Sequence, residues 1–150
     1  MRATTYPRIG LVSDHAGFEM KETLRIWLEK KSIPHIDYGT YTPDSVSYAE
    51  YGHKLAEAIE NGEVLKAVAI CGSGNGINMT LNKHAAIRSA LCWNREITAL
   101  ARAHNNANVL ALPGRFLSIA RAKRLITVFL NTPFEGGRHL ERVREIPRKE

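Results

Sequence analysis

Apolar residues along the chain fall into two kinds of run. Short stretches rich in β-branched residues, RIGLVS (8–13), HIDYG (35–39), KAVAIC (66–71), SALCW (89–93) and NVLALPG (108–114), alternate with longer ones. In the longer segments, GFEMKETLRIWLEK (17–30), SYAEYGHKLAEAIE (47–60), INMTLNKH (77–84), EITALARAHN (96–105) and FLSIARAKRLITVFL (116–130), the pattern is helical. Met20, Leu24, Trp27 and Leu28 make one apolar stripe, and Leu55, Ala58 and Ile59 make another, as core-facing helices require. Strand and helix taking turns predicts an α/β fold with five parallel strands and helices on both faces of the sheet. The loops are short and no repeat or low-complexity linker interrupts them. The expectation is one domain over residues 1–150, with 1–7 and 147–150 as frayed ends.

A length of 150 residues suits one core and is short for two domains. No stretch approaches the roughly 20 apolar residues of a membrane span. The N-terminal MRATTYPRIG lacks the apolar region of a secretory signal, so a soluble, cytoplasmic protein is expected, with no membrane partner. Its two cysteines, Cys71 and Cys92, belong to no CxxC pair and no Cys/His cluster, which argues for reduced thiols and against a zinc site. The formal charge of +6 gathers late, in Arg138, Arg142, Arg144, Arg148 and Lys149, and points to anionic partners. A sugar phosphate and a nucleic acid would both answer to that charge, but no helix-turn-helix, finger or aromatic RNA-binding motif accompanies it.

Ligands of open α/β sheets bind beyond the carboxyl ends of the strands. Three unusual clusters fall there: Ser13-Asp14-His15 after the first strand, Cys71-Gly72-Ser73-Gly74-Asn75-Gly76 after the third, and Pro113-Gly114-Arg115 after the fifth. Glycines at 72, 74 and 76 leave backbone N–H groups uncovered just where a helix opening near Ile77 aims its positive end, which describes an anion site. It is neither the dinucleotide fingerprint, since Ile77 stands where GxGxxG needs glycine, nor a P-loop, since no GK[ST] follows. Cys71 sits where that environment favours a thiolate, able to act as base or nucleophile, and a small buried hydrophobe is the competing reading. For Cys92, inside SALCW, the buried reading is the stronger one. Asp14 and His15 suit a sugar hydroxyl or phosphate, although Asp14 also suits a helix N-cap. His104 and Asn105 end a helix, where a histidine often only favours the dipole. Arg138 and Arg142, four apart behind Gly136 and Gly137, suit a phosphate dianion or else a solvated face pairing with Glu141 and Glu145.

In their order, SDHAGFEMK, GTY, ICGSGNGI, NKHAAIR, ARAHNNANVLALPGR and FEGGRHLERV resemble the ribose-5-phosphate isomerase B family, which includes galactose-6-phosphate isomerase subunits. The resemblance covers about residues 8 to 146. It implies a Rossmann-like three-layer αβα sandwich working as a homodimer with a shared active site, able to pair into a tetramer, without metal or organic cofactor. The implied reaction interconverts an aldose phosphate and its ketose, with ribose 5-phosphate and ribulose 5-phosphate as the leading pair. A six-carbon sugar phosphate such as allose or galactose 6-phosphate, or a noncatalytic phosphosugar-binding module, is the alternative. By similarity, Cys71 is the base, the backbone of Gly72 to Gly76 with Asn75 cradles the enediolate oxygen, and Ser73 shuttles protons. His104 with Asp14 opens the furanose ring, Asn105 holds a hydroxyl, and His15, Arg115, Arg138 and Arg142 hold the phosphate. One branch of the family replaces the cysteine with a glutamate directly after the last loop glycine; here that position is Ile77, which implies the thiol branch. Ser47-Tyr48-Ala49 departs from the Asp-Tyr-Pro of many relatives.

Overall fold

The computed structural model describes residues 6–149. Five strands, β1 (Ile9–Ser13), β2 (His35–Asp37), β3 (Lys66–Cys71), β4 (Ser89–Leu91) and β5 (Val109–Pro113), form one sheet in the order β2-β1-β3-β5-β4. Every pairing is parallel, so each connection must cross back along the sheet, and a helix does so each time. The helices are α1 (Phe18–Lys30), α2 (Tyr48–Glu60), α3 (Asn75–Leu81), α4 (Arg95–Ala103), α5 (Ile119–Asn131) and α6 (Arg138–Glu145), with a 3-10 turn at His15–Gly17.

Alternation along the central strands divides the core. Ile9, Leu11, Val68, Ile70, Leu110 and Leu112 point to one face and meet Leu24 and Leu28 of α1, Ala101 of α4 and Leu125, Ile126 and Phe129 of α5. Val12, Ala67, Ala69 and Cys71 point to the other and meet Leu55 and Ala56 of α2 and Ile77 and Leu81 of α3. The result is the three-layer, Rossmann-like sandwich the sequence implied. Buried on both faces, β1, β3 and β5 read as unbroken apolar runs rather than alternating ones.

Local differences from the sequence reading have physical causes. Helix α3 begins at Asn75, two residues before the expected Ile77, because Gly74 adopts φ +77 and turns the chain there. A Cβ on Gly74 would lie 2.4 Å from Leu91 Cδ1 and 3.1 Å from the Leu112 carbonyl carbon, so both the dihedral and the space require glycine. Cys92 lies just past β4 rather than within it and is fully buried. Of the ends expected to fray, residues 1–5 and 150 lie outside the described residues; Tyr6 donates a hydrogen bond to Asn131 Oδ1 at 2.9 Å, and Pro147 and Arg148 line a groove.

One polar residue sits inside the apolar stripe of α1. Lys21 is fully buried, with Nζ 2.8 Å from Asp37 Oδ2 and 2.9 Å from Glu22 Oε1. The other oxygen of Asp37 accepts the Gly39 N–H at 2.9 Å. Gly39 in turn accepts the Ser13 N–H at 2.7 Å, and Thr40 donates to the Ser13 carbonyl at 2.8 Å. The buried ammonium therefore anchors the chain leaving β2, which clasps the end of β1 immediately before Asp14. Replacing Lys21 with Met strands Asp37 beside an apolar side chain. We expect a loss near the low end of about 3–5 kcal/mol, since Asp37 keeps some water contact, read as a lowered midpoint in urea unfolding.

Candidate active site

Strands β1 and β2 run to one side of the sheet's midline and β3, β5 and β4 to the other, so a crevice opens beyond the carboxyl ends of β1 and β3. Asp14 enters it from β1. Its N–H donates to the Ile70 carbonyl at 3.2 Å, and its Oδ1 accepts the Gly17 N–H at 3.0 Å, capping the 3-10 turn. The cap uses only one oxygen, and Oδ2 takes part in no hydrogen bond among the described residues. His15 follows, with Nδ1 3.1 Å from the Val46 N–H and 3.2 Å from the Val46 carbonyl. The unprotonated nitrogen accepts from the first and the protonated one donates to the second, so the ring is held in either form and Nε2 stays free.

The glycine loop supplies the opposite wall. Gly114 donates to the Cys71 carbonyl at 2.9 Å and Arg115 to the Gly72 carbonyl at 3.0 Å, tying the ends of β3 and β5 together. The Arg115 guanidinium lies over Gly72, its Nη1 3.3 Å from where a Cβ would stand. Among the described residues, the backbone N–H groups of Ser73, Gly74 and Gly76 meet no protein acceptor, and that of Asn75 meets only Ser73 Oγ at 3.3 Å. This run of free donors at a helix start, with a guanidinium beside it, is a preorganised anion cradle. Ile77, fully buried, points away from it into the α2/α3 core.

The two thiols differ. Cys92 is sealed in the core, its Sγ donates to the Ala90 carbonyl at 3.6 Å, and burial pushes its pKa up to about 11. Cys71 closes β3 directly under the cradle, 3% exposed, with no hydrogen bond to its sulfur among the described residues.

Asp14, His15, Cys71, Gly72, Ser73, Gly74, Asn75, Gly76 and Arg115 thus share one rim. His104, Asn105, Arg138 and Arg142 do not join them. His104 caps the carboxyl end of α4, which has run back to the opposite edge of the sheet. A five-residue β5 alone spans about 16 Å between the two edges. Arg138 and Arg142 sit near His104, because Glu135 donates its N–H to the Ala103 carbonyl at 3.0 Å and His139 stacks on the His104 ring. Within one chain His104 cannot reach Asp14.

Several contacts join elements that spacing along the chain does not connect. Tyr48 packs its ring on Gly76, 2.7 Å from where a Cβ would be, and so roofs the start of α3. Ser47, in the place of the acid common in relatives, caps α2 by accepting the Ala49 N–H at 3.1 Å. His84 bridges His53, at 2.7 Å, and Glu60 across α2 and the end of α3. The cysteine spacing gave no hint that His104, Glu135 and His139 gather their ligand atoms within 4.8 Å. The two rings stack 11° from parallel, however, which sets their lone pairs side by side instead of converging on one ion.

The family model described as Ribose/Galactose Isomerase matches residues 9–146. Ribose-5-phosphate isomerase B of Escherichia coli is 36% identical over 93% of each chain. A solved ribose 5-phosphate isomerase from Thermotoga maritima superposes with a TM-score of 0.92 at 42% identity, covering 94% of this chain and 97% of that one. A Mycoplasma genitalium ribose 5-phosphate isomerase B, solved with bound ribulose-5-phosphate, superposes with a TM-score of 0.89 at 33% identity over 97% of both chains.

The contrast between the thiols is open to direct measurement. Both thiols are buried, Cys71 at the crevice end of β3 and Cys92 wholly within the core, so iodoacetamide at pH 8 is expected to label Cys71 faster than Cys92, as read by peptide mass spectrometry. Labelling of Cys92 first would contradict its complete burial.

Proposed function

The chain belongs to the Ribose/Galactose Isomerase family, and from that premise we propose that it interconverts ribose 5-phosphate and ribulose 5-phosphate through an enediolate, with Cys71 as base. The observation that carries this reading is the pairing, among the described residues, of a thiol without a hydrogen bond at the end of β3 with a loop in which the N–H groups of Ser73, Gly74 and Gly76 lack protein partners. Removing hydrogen from C2 of the open aldose sends its bonding electrons toward O1, where negative charge develops. Donors fixed beside that oxygen stabilise the charge with no reorganisation cost, each worth on the order of 10²–10³ in rate. Cys71 then returns the proton to C1, while Ser73 moves protons between the sugar oxygens.

Binding of the phosphate supplies the orientation this transfer needs. His15 and Arg115 hold it from the crevice side, and Arg138 and Arg142 complete the clamp from a second copy of the chain. Since His104 lies about a sheet length from Asp14 in its own subunit, ring opening by this pair requires the His104 of a neighbouring subunit. Asn105 arrives with it and holds a sugar hydroxyl. The functional unit is accordingly a homodimer with two shared sites. The family's name covers galactose as well as ribose, so a six-carbon sugar phosphate is the second reading, and kcat/KM across ribose, allose and galactose phosphates decides between them.

Two outcomes are expected. Cys71→Ala should lower isomerisation at least about 10³-fold, within the range for a positioned base, while sugar-phosphate binding by calorimetry persists and Cys92→Ala stays active. Mixing Cys71→Ala with His104→Asn chains, each inactive alone, should regenerate one intact site in every mixed dimer and about a quarter of wild-type activity. Failure to complement would remove the shared site.

A further inference from the structure

Around His104 the structure builds more than a helix cap. Its Nε2 lies 3.7 Å from Glu135 Oε2, and the Nε2 of His139 lies 3.7 Å from the same oxygen. The two imidazoles stack with centroids 4.2 Å apart and planes 11° from parallel. His139 comes from α6 and is largely covered, His104 comes from α4 and is more open, and Glu135 lies on the segment joining α5 to α6. That segment is itself fastened to α4 by the bond from Glu135 N–H to the Ala103 carbonyl. Three elements therefore converge on one ring.

We propose that Glu135 and His139 are positioning residues for His104, the carboxylate stabilising its imidazolium and the stacked ring fixing its plane. The inference rests on the assignment of His104 to ring opening. At 3.7 Å the carboxylate is in ionic contact with Nε2 yet beyond hydrogen-bond range, so it favours the charge without capturing the N–H that the substrate needs. The charged groups facing the pair are Glu135 from the connecting segment and Arg138 and Arg142 from α6. His139 is held below the usual histidine range by burial first, then by repulsion from His104 and Arg138, with Glu135 opposing.

Asp14 takes the proton from the anomeric hydroxyl of the furanose, the O1 electrons form the C1 carbonyl, the C1–O4 bond breaks, and O4 takes a proton from His104. The carbon proton transfer that follows uses Cys71 and needs neither Glu135 nor His139. Ribulose 5-phosphate cannot close a furanose ring, because its C5 hydroxyl carries the phosphate, so its C1–H exchange with solvent bypasses ring opening.

This separates the two roles in one experiment. For Glu135→Gln and His139→Ala, turnover of ribose 5-phosphate is expected to fall on the order of tenfold or more, part of the general-acid contribution. Exchange of ribulose 5-phosphate C1–H in heavy water, followed by NMR, should stay within about twofold of wild type, and His139→Phe, which keeps a stacked ring, should recover most of the turnover. Equal loss of turnover and exchange, or no loss of turnover, would overturn the inference. His104→Asn run alongside distinguishes the cause: if it too spares ribose 5-phosphate turnover, the ring-opening assignment itself fails, and if it alone is selective, only the positioning role does.

Discussion

All five strands run the same way, and the placement of every candidate site residue follows from that single polarity. A parallel strand can be followed by another only after a return helix, so strand carboxyl ends collect at one rim and helix carboxyl ends at the other. Asp14, Cys71 and Arg115 follow strands; His104 follows a helix. No loop rearrangement within a chain exchanges those addresses. A reaction that needs both sets must bring two rims face to face, and a pair of copies related by a two-fold axis does this twice over with one interface.

Within the strand rim, the free donors are backbone rather than side-chain groups. The cradle is made of N–H groups, held open by one left-handed glycine and tied down by two bonds from Gly114 and Arg115. Side chains around it serve to fix that backbone: Tyr48 lies on Gly76, and Lys21 works through Asp37 and Gly39 to the end of β1. Positioning by packed and hydrogen-bonded backbone limits the reorganisation that charge development would otherwise require.

The strand and helix rhythm, the layer order and the three clusters at strand ends could all be read from apolar spacing, because burial on both faces writes long apolar runs and glycine punctuates them. Asp14 shows the limit of such reading, since cap and crevice residue looked like rivals, whereas one oxygen makes the cap and the other takes part in no hydrogen bond among the described residues. Lys21 was hidden because its partner Asp37 sits in a different element, and an apolar stripe gives no sign of a charge buried within it. Glu135 and His139 were hidden for a related reason. They meet His104 across three elements, a proximity that spacing along the chain does not encode.

The two sides of the sheet are unequally furnished, chiefly leucine and isoleucine toward α1, α4 and α5 but the smaller alanine, valine and cysteine toward α2 and α3. Against such small residues a helix layer lies close, with little slack: a methyl at Gly10 would already press to 2.8 Å on Leu55. Because α3 opens from the glycine loop and α2 carries Tyr48 above it, a single added methylene deep under either helix would shift the donors that cradle the anion. Residues that never meet a substrate thereby gain control over the width of the cleft, and drift at those hidden positions offers a quiet route by which one scaffold is retuned for longer or shorter sugars.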